Sequence, residues 1–247
     1  MEPLAILIVG LAAGGLYGMF GAGGAAFATP VLALVGVSPV FAIAAPLPAM
    51  LPTSLAGARS HLRAGSLDRR VAGLAVAGGV PGTLLGGLGS GLISGHWLLV
   101  LSGMMLLVVG ARVLMPDGAG HAESCAGRRD RSALIVAMAF GVGILTGLLA
   151  NGGGFLLVPV FIIVLGLSTS AAAGTSLVVA GVLSIPTLLV HWSLGHIDWR
   201  IALLFGLGSL PGTLLGLELG KRVPAESTRR AFGVLLVVFA VAFLARP

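Results

Sequence analysis

Along the chain, long apolar runs follow one another with only short polar gaps between them. Eight runs can be drawn, at 4–35, 38–58, 71–93, 97–115, 133–165, 168–191, 199–220 and 231–245. Apolar runs of about 18 residues or more predict membrane-spanning helices. The pattern therefore predicts an all-α polytopic membrane protein with about four apolar segments in each half. The one polar stretch of any length, residues 116–131, predicts a cytoplasmic linker. It separates a first transmembrane repeat, 1–115, from a second, 132–247.

The two halves carry the same landmarks in the same order. Pro81-Gly82-Thr83-Leu84-Leu85-Gly86 recurs as Pro211-Gly212-Thr213-Leu214-Leu215-Gly216, an offset of 130. The same offset pairs Gly65-Ser66-Leu67-Asp68 with Gly195-His196-Ile197-Asp198, and Ser54 with Ser184. Near the start of each half, Gly21-Ala22-Gly23-Gly24-Ala25-Ala26-Phe27-Ala28-Thr29-Pro30 matches Ala150-Asn151-Gly152-Gly153-Gly154-Phe155-Leu156-Leu157-Val158-Pro159, one residue out of step.

Basic residues indicate how the repeats are oriented. Inverted halves place twelve of the 14 Lys and Arg residues on one side, leaving Arg200 and Arg246 on the other. Two parallel halves of four crossings would leave four, so inversion fits the positive-inside rule better. Inversion needs an odd number of crossings per half. Residues 4–35 as one helix would measure about 48 Å against a hydrocarbon core of about 30 Å. The Gly clusters, followed by Pro30 and Pro159, predict that the first element of each half is broken or re-entrant. Paired interruptions of this kind point to a transporter's binding site.

Composition narrows the function classes. The chain is 57% hydrophobic and 9% charged, against about 25% charged in soluble domains. Its net charge of +6 lies in the gaps between runs rather than along one face, which argues against nucleic-acid binding. Cys125 is the one cysteine, so no internal disulfide or multi-cysteine metal site is expected. Met1-Glu2-Pro3 has no basic stretch before the first run, so that run is expected to be a retained helix rather than a cleaved signal.

The candidate chemistry is that of an anion site. Non-helical backbone at membrane depth must be buried in protein or line a watery cavity. The amides of Gly23, Gly24, Gly152, Gly153 and Gly154 could face an anion there, aided by a half-helix dipole. Close helix packing is the competing explanation for such glycines. Asn151, Thr53, Ser54, Thr175 and Ser176 offer further donors, or serve as interhelical hydrogen bonds. Arg59 and Glu218 stand close enough to polar loops to snorkel. His191 is a candidate proton-sensitive group at a helix end. No nucleophile–base–orienter set, metal-ligand spacing or nucleotide-binding loop can be assembled, so neither an enzyme nor a cofactor is expected.

Ala150-Asn151-Gly152-Gly153-Gly154 with Pro159, Gly174-Thr175-Ser176 and Gly195-His196-Ile197-Asp198-Trp199-Arg200, taken in order, resemble the TauE/SafE sulfite exporter family. The first half departs from that pattern, with Gly23-Gly24-Ala25 for three glycines and Ala45-Pro46 for Thr-Ser. The resemblance implies a secondary transporter of the bacterial inner membrane, related to 4-toluene sulfonate uptake permeases. Its cargo would be a small sulfur-containing anion: sulfite, thiosulfate, sulfoacetate or another organosulfonate. A coupling proton or sodium ion and a homo-oligomer stay open. The alternatives are an anion channel and a non-transporting membrane scaffold.

Overall fold

A computed structural model describes residues 3–20, 27–63, 65, 67–115, 128–150, 154–220, 222–223 and 225–244. The described residues form helices and connecting turns, with no strand among them. The elements are α1 (Pro3–Phe20), α2 (Ala28–Leu34), α3 (Pro39–Ala44), α4 (Leu47–Arg63), α5 (Arg69–Ser90), α6 (Gly95–Leu114), α7 (Arg128–Leu149), α8 (Gly154–Leu165), α9 (Thr169–Ser193), α10 (Trp199–Gly220) and α11 (Ala225–Leu244). Five of these are long and apolar enough to cross a membrane: α5, α6, α9, α10 and the stretch Ser132–Leu149 of α7.

Three of the eight apolar runs are therefore split. The run 4–35 yields α1 and α2, 133–165 yields α7 and α8, and 38–58 yields α3 and α4. The last split was not foreseen. It falls at Ala45-Pro46, where proline lacks an N–H and pushes the preceding residue away from helical dihedrals.

Helix boundaries repeat at the offset seen in the motifs. α10 lies 130 residues beyond α5 at both ends, and α11 lies 130 beyond α6. The caps repeat as well. Asp68 Oδ1 accepts from the amides of Arg70 and Val71, and Asp198 Oδ1 from those of Arg200 and Ile201. Gly65 and Gly195, which close the preceding turns, have φ of 66° and 70°, a region that costs other residues about 1–2 kcal/mol.

The halves exchange their first helices. α1 packs along α10 of the second half, and α7 along α5 of the first. In lipid there is little hydrophobic drive between helices, so close backbone approach has to supply the attraction. Gly10, Gly14 and Gly18 of α1 meet the carbonyls of Phe205, Ser209 and Thr213. From the other side, Gly208, Gly212 and Gly216 meet those of Leu7, Leu11 and Gly15. Gly78, Gly82 and Gly86 of α5 meet Val136, Phe140 and Ile144 of α7 in the same way. Residue numbers rise together across both seams, so each pair is parallel.

The equivalent helices α6 and α11 run antiparallel instead. Gly110 packs on Leu236 and Val237, while Gly233 packs on Val113 and Leu114. Helices that occupy corresponding places and run in opposite directions are related by inversion. α5 and α9 are parallel, as Gly79–Leu183 and Gly87–Val190 show. These directions gather the Arg-bearing ends of α4, α6 and α10 on one face. All three tryptophans lie on the other: Trp97 opens α6, Trp192 lies in the last turn of α9, and Trp199 opens α10.

Candidate functional site

The interior between the repeats is lined by hydroxyls rather than charges. The buried polar residues among those described are serines, threonines and His191. Most of the hydroxyls are satisfied within their own helix. Thr83 donates to Val80 O, Thr146 to Val142 O, Ser184 to Ala180 O and Thr213 to Ser209 O.

Thr53 and Ser54 follow Pro52 inside α4 and are both buried. Thr53 Oγ1 donates to Ala49 O at 2.8 Å, with Met50 O at 3.1 Å. Ser54 Oγ lies 2.9 Å from the hydroxyl of Tyr17 in α1. Tyr17, Thr53, Ser209 and Thr213 supply the polar wall of a pocket with about 270 Å³ of empty space between α1, α4 and α10. Tyr17, the chain's one tyrosine, was missed in the sequence reading. Its signal was an aromatic hydroxyl four residues before a Gly cluster.

Thr175 and Ser176 lie elsewhere. Thr175 Oγ1 accepts from the amide of Asp68 at 3.1 Å, tying the first third of α9 to the start of α5. Ser176 Oγ donates to Ala173 O within α9. Opposite Ser54, across the antiparallel α4–α9 seam, stands Gly181 instead.

Of the glycines singled out in the sequence, Gly154 opens α8. Gly23, Gly24, Asn151, Gly152 and Gly153 lie outside the described residues. Their borders are informative. Ala150 has φ of 53°, a left-handed conformation unusual for alanine. Phe27, just before α2, packs edge-on against Phe232 at 5.7 Å and beside Phe239 at 5.5 Å. Those residues stand about 10 and 21 Å along α11 at about 1.5 Å per residue. α2 thus starts within the membrane layer and not at its surface. Leu156 and Leu157 of α8 belong to the same buried cluster as Phe27, Leu106 and Leu236. The helices that follow both interruptions therefore reach one shared core.

On the Trp-bearing face, His191 Nε2–H donates to Gly147 O at 2.8 Å. A carbonyl accepts only, so in the neutral pair His191 Nδ1 is an acceptor and His196 Nδ1–H is its donor at 3.1 Å. Burial lowers the pKa of His196, which lies in the α9–α10 turn. Arg59 is exposed, and Glu218 is exposed within 3.8 Å of Arg222. Both placements agree with snorkelling at the membrane edge. No group of three or more metal-binding side chains occurs among the described residues.

Residues 6–243 match the sequence profile of the family described as Sulfite exporter TauE/SafE. The chain belongs to the TauE/SafE family. A probable membrane transporter protein of Xylella fastidiosa is 32% identical over 244 residues, covering 95% of this chain and 94% of the relative. The probable membrane transporter protein YjnA of Bacillus subtilis is 26% identical over 231 residues, covering 89% and 91%. No solved structure matches the chain. This TauE/SafE protein is thus a multi-pass integral membrane transporter, and its hydroxyl-lined, internally repeated interior is the part available to a small anion.

Proposed function

We propose that the protein carries a small sulfur-containing anion by alternating access, with the anion held near mid-membrane between the two repeats. The observation that carries this reading is the position of Phe27 and Leu156, which sets the starts of α2 and α8 against one core inside the bilayer. Amides around Gly23, Gly24 and Gly152–Gly154 would bind the oxyanion, with Asn151 as a side-chain donor. α8, at twelve residues, offers a stronger positive end than the seven-residue α2. Tyr17, Thr53 and Ser54 would line the approach from the first repeat. Thr175 and Ser176 would act one step removed, by holding α9 against α5.

The same interior argues for a singly charged cargo. Among the described residues no Lys or Arg is buried. Partial charges of amides and hydroxyls then have to replace hydration, and the desolvation cost of a dianion is about fourfold that of a monoanion on Born scaling. Hydrogensulfite or an organosulfonate fits better than sulfate.

The test is flux in liposomes containing purified protein, with sulfite, sulfoacetate and sulfate compared in counterflow. Saturable counterflow of the first two, and loss of flux in Gly153→Leu with folded protein still in the membrane, is the expected result. Wild-type flux in that variant would remove the glycine from the mechanism. Ohmic current without counterflow would make the protein a channel. Neither flux nor ligand-dependent stability would leave only a scaffold.

A further inference from the structure

Ser102 is buried in α6, and its Oγ is the one buried side-chain polar atom without a hydrogen-bond partner among the described residues. This is unusual here, because the neighbouring buried hydroxyls donate back to their own helices. A helical serine can ordinarily reach a carbonyl three or four residues earlier, and an unpaired buried hydroxyl costs free energy unless something else meets it.

The internal repeat shows what Ser102 faces. Its counterpart 130 residues on is Phe232, whose ring packs edge-on against Phe27. The counterpart of Phe27 is Leu156, two residues after α8 begins. Where one repeat closes this contact with two rings, the other sets a serine hydroxyl against a leucine. The stripe on which Ser102 lies gives the same direction. Leu98, one turn earlier, packs in the cluster containing Leu149 and Ala150 at the end of α7. Leu106, one turn later, packs in the cluster containing Leu156. Ser102 stands between them, level with the interruption that separates α7 from α8, and α6 and α8 are in contact.

We infer that the Ser102 hydroxyl is a ligand-binding group, donating a hydrogen bond to an oxygen of the transported sulfonate-type anion at the α8 N-terminus. This rests on the anion-transport reading above and adds one residue to its site. It also makes the site asymmetric. The second repeat's interruption, with Asn151 and three glycines, receives the hydroxyl, while the first is capped by aromatic rings. The unpaired state is then a property of the empty site, and the bound anion is the missing partner.

The experiment compares wild type, Ser102→Ala and Ser102→Thr in detergent and in liposomes, with sulfite, thiosulfate and sulfoacetate as probes. In Ser102→Ala the ligand-free melting temperature should stay the same or rise, because no protein hydrogen bond is lost. Its half-saturating probe concentration should rise about tenfold, the size of a lost hydrogen bond to a charged group. Ser102→Thr, which keeps the hydroxyl, should stay within about twofold of wild type. Unchanged affinity in Ser102→Ala, or a lower melting temperature with an intact ligand response, would overturn the assignment while leaving anion transport standing. If wild type itself responds to none of the probes, the transport reading falls and the assignment falls with it.

Discussion

The hydroxyl of Tyr17 lies 2.9 Å from Oγ of Ser54, joining α1 to α4 across a buried interface between residues 37 apart in sequence. The second repeat has Thr146 and Ser184 at the corresponding positions, each bonded to its own helix. The Tyr17–Ser54 bond is therefore a feature of one repeat alone.

Breaking that bond from either side should cost stability. Tyr17→Phe leaves Ser54 without its partner, and a buried group so stranded costs about 1–3 kcal/mol. Ser54→Ala should cost a similar amount, and the double variant less than the two together. Thermal melts in detergent check this. Strict additivity would mean that the two hydroxyls are not bonded to each other.

The same substitution should act with opposite sign at two glycines 59 residues apart in sequence. At Gly82 an added Cβ would fall on the carbonyl of Phe140 and within 3.1 Å of Gly143 Cα. Backbone cannot yield as a flexible side chain can, so Gly82→Ala should cost about 1–3 kcal/mol. Gly141, on the exposed face of α7, has nothing within 4 Å. There Gly141→Ala should gain about 0.4–1 kcal/mol. A stabilised Gly82→Ala would contradict the close α5–α7 seam.

Acid should weaken the protein through His196. Burial lowers its folded-state pKa, so the unfolded chain binds the proton more readily. Above the ordinary histidine value of about 6.5 both states are neutral and stability is intact. Below it stability falls, as protons are drawn preferentially to the unfolded chain. His196→Asn, whose amide can still donate to His191, should flatten the slope of melting temperature against pH below about 6.5. A slope identical to wild type would assign the acid sensitivity elsewhere.

The two faces should label from opposite sides. Cys125 lies in the segment joining the Arg-bearing ends of α6 and α7. The positive-inside rule makes that face cytoplasmic. A membrane-impermeant maleimide should therefore reach Cys125 only in inverted vesicles. In a Cys125→Ser background, Leu92→Cys in the 90% exposed α5–α6 turn should label from outside intact cells. Labelling of both from one side would refute the inverted arrangement.

Some of the site was legible from the chain alone. Thr53 and Ser54 stood out as hydroxyls beside a proline in an apolar run, and they are buried as that reading requires. Thr175 and Ser176 stood out on the same grounds, yet Thr175 accepts from the backbone of Asp68. Residue type does not reveal whether a hydroxyl faces a neighbouring amide or an open site. Tyr17 and Ser102 were passed over because one aromatic or one serine in an apolar run is indistinguishable from ordinary packing. Only their neighbours, Ser54 for the first and the Phe232–Phe27 counterpart for the second, give them meaning.

The sequence by itself determined that this is a helical membrane transporter with an internal repeat, and where its caps and interruptions fall. Hydropathy, proline and glycine dihedrals, and Asp68 and Asp198 as N-caps act within a few residues, so they can be read locally. The tertiary structure decided that α1 and α7 cross to the opposite repeat, that α6 and α11 meet antiparallel, and which hydroxyls face one another. Those outcomes depend on backbone surfaces such as Gly14 against Ser209, which come from distant parts of the chain. In a bilayer no hydrophobic gradient between helices announces such pairings, because lipid and leucine are equally apolar; steric fit between the seams selects them.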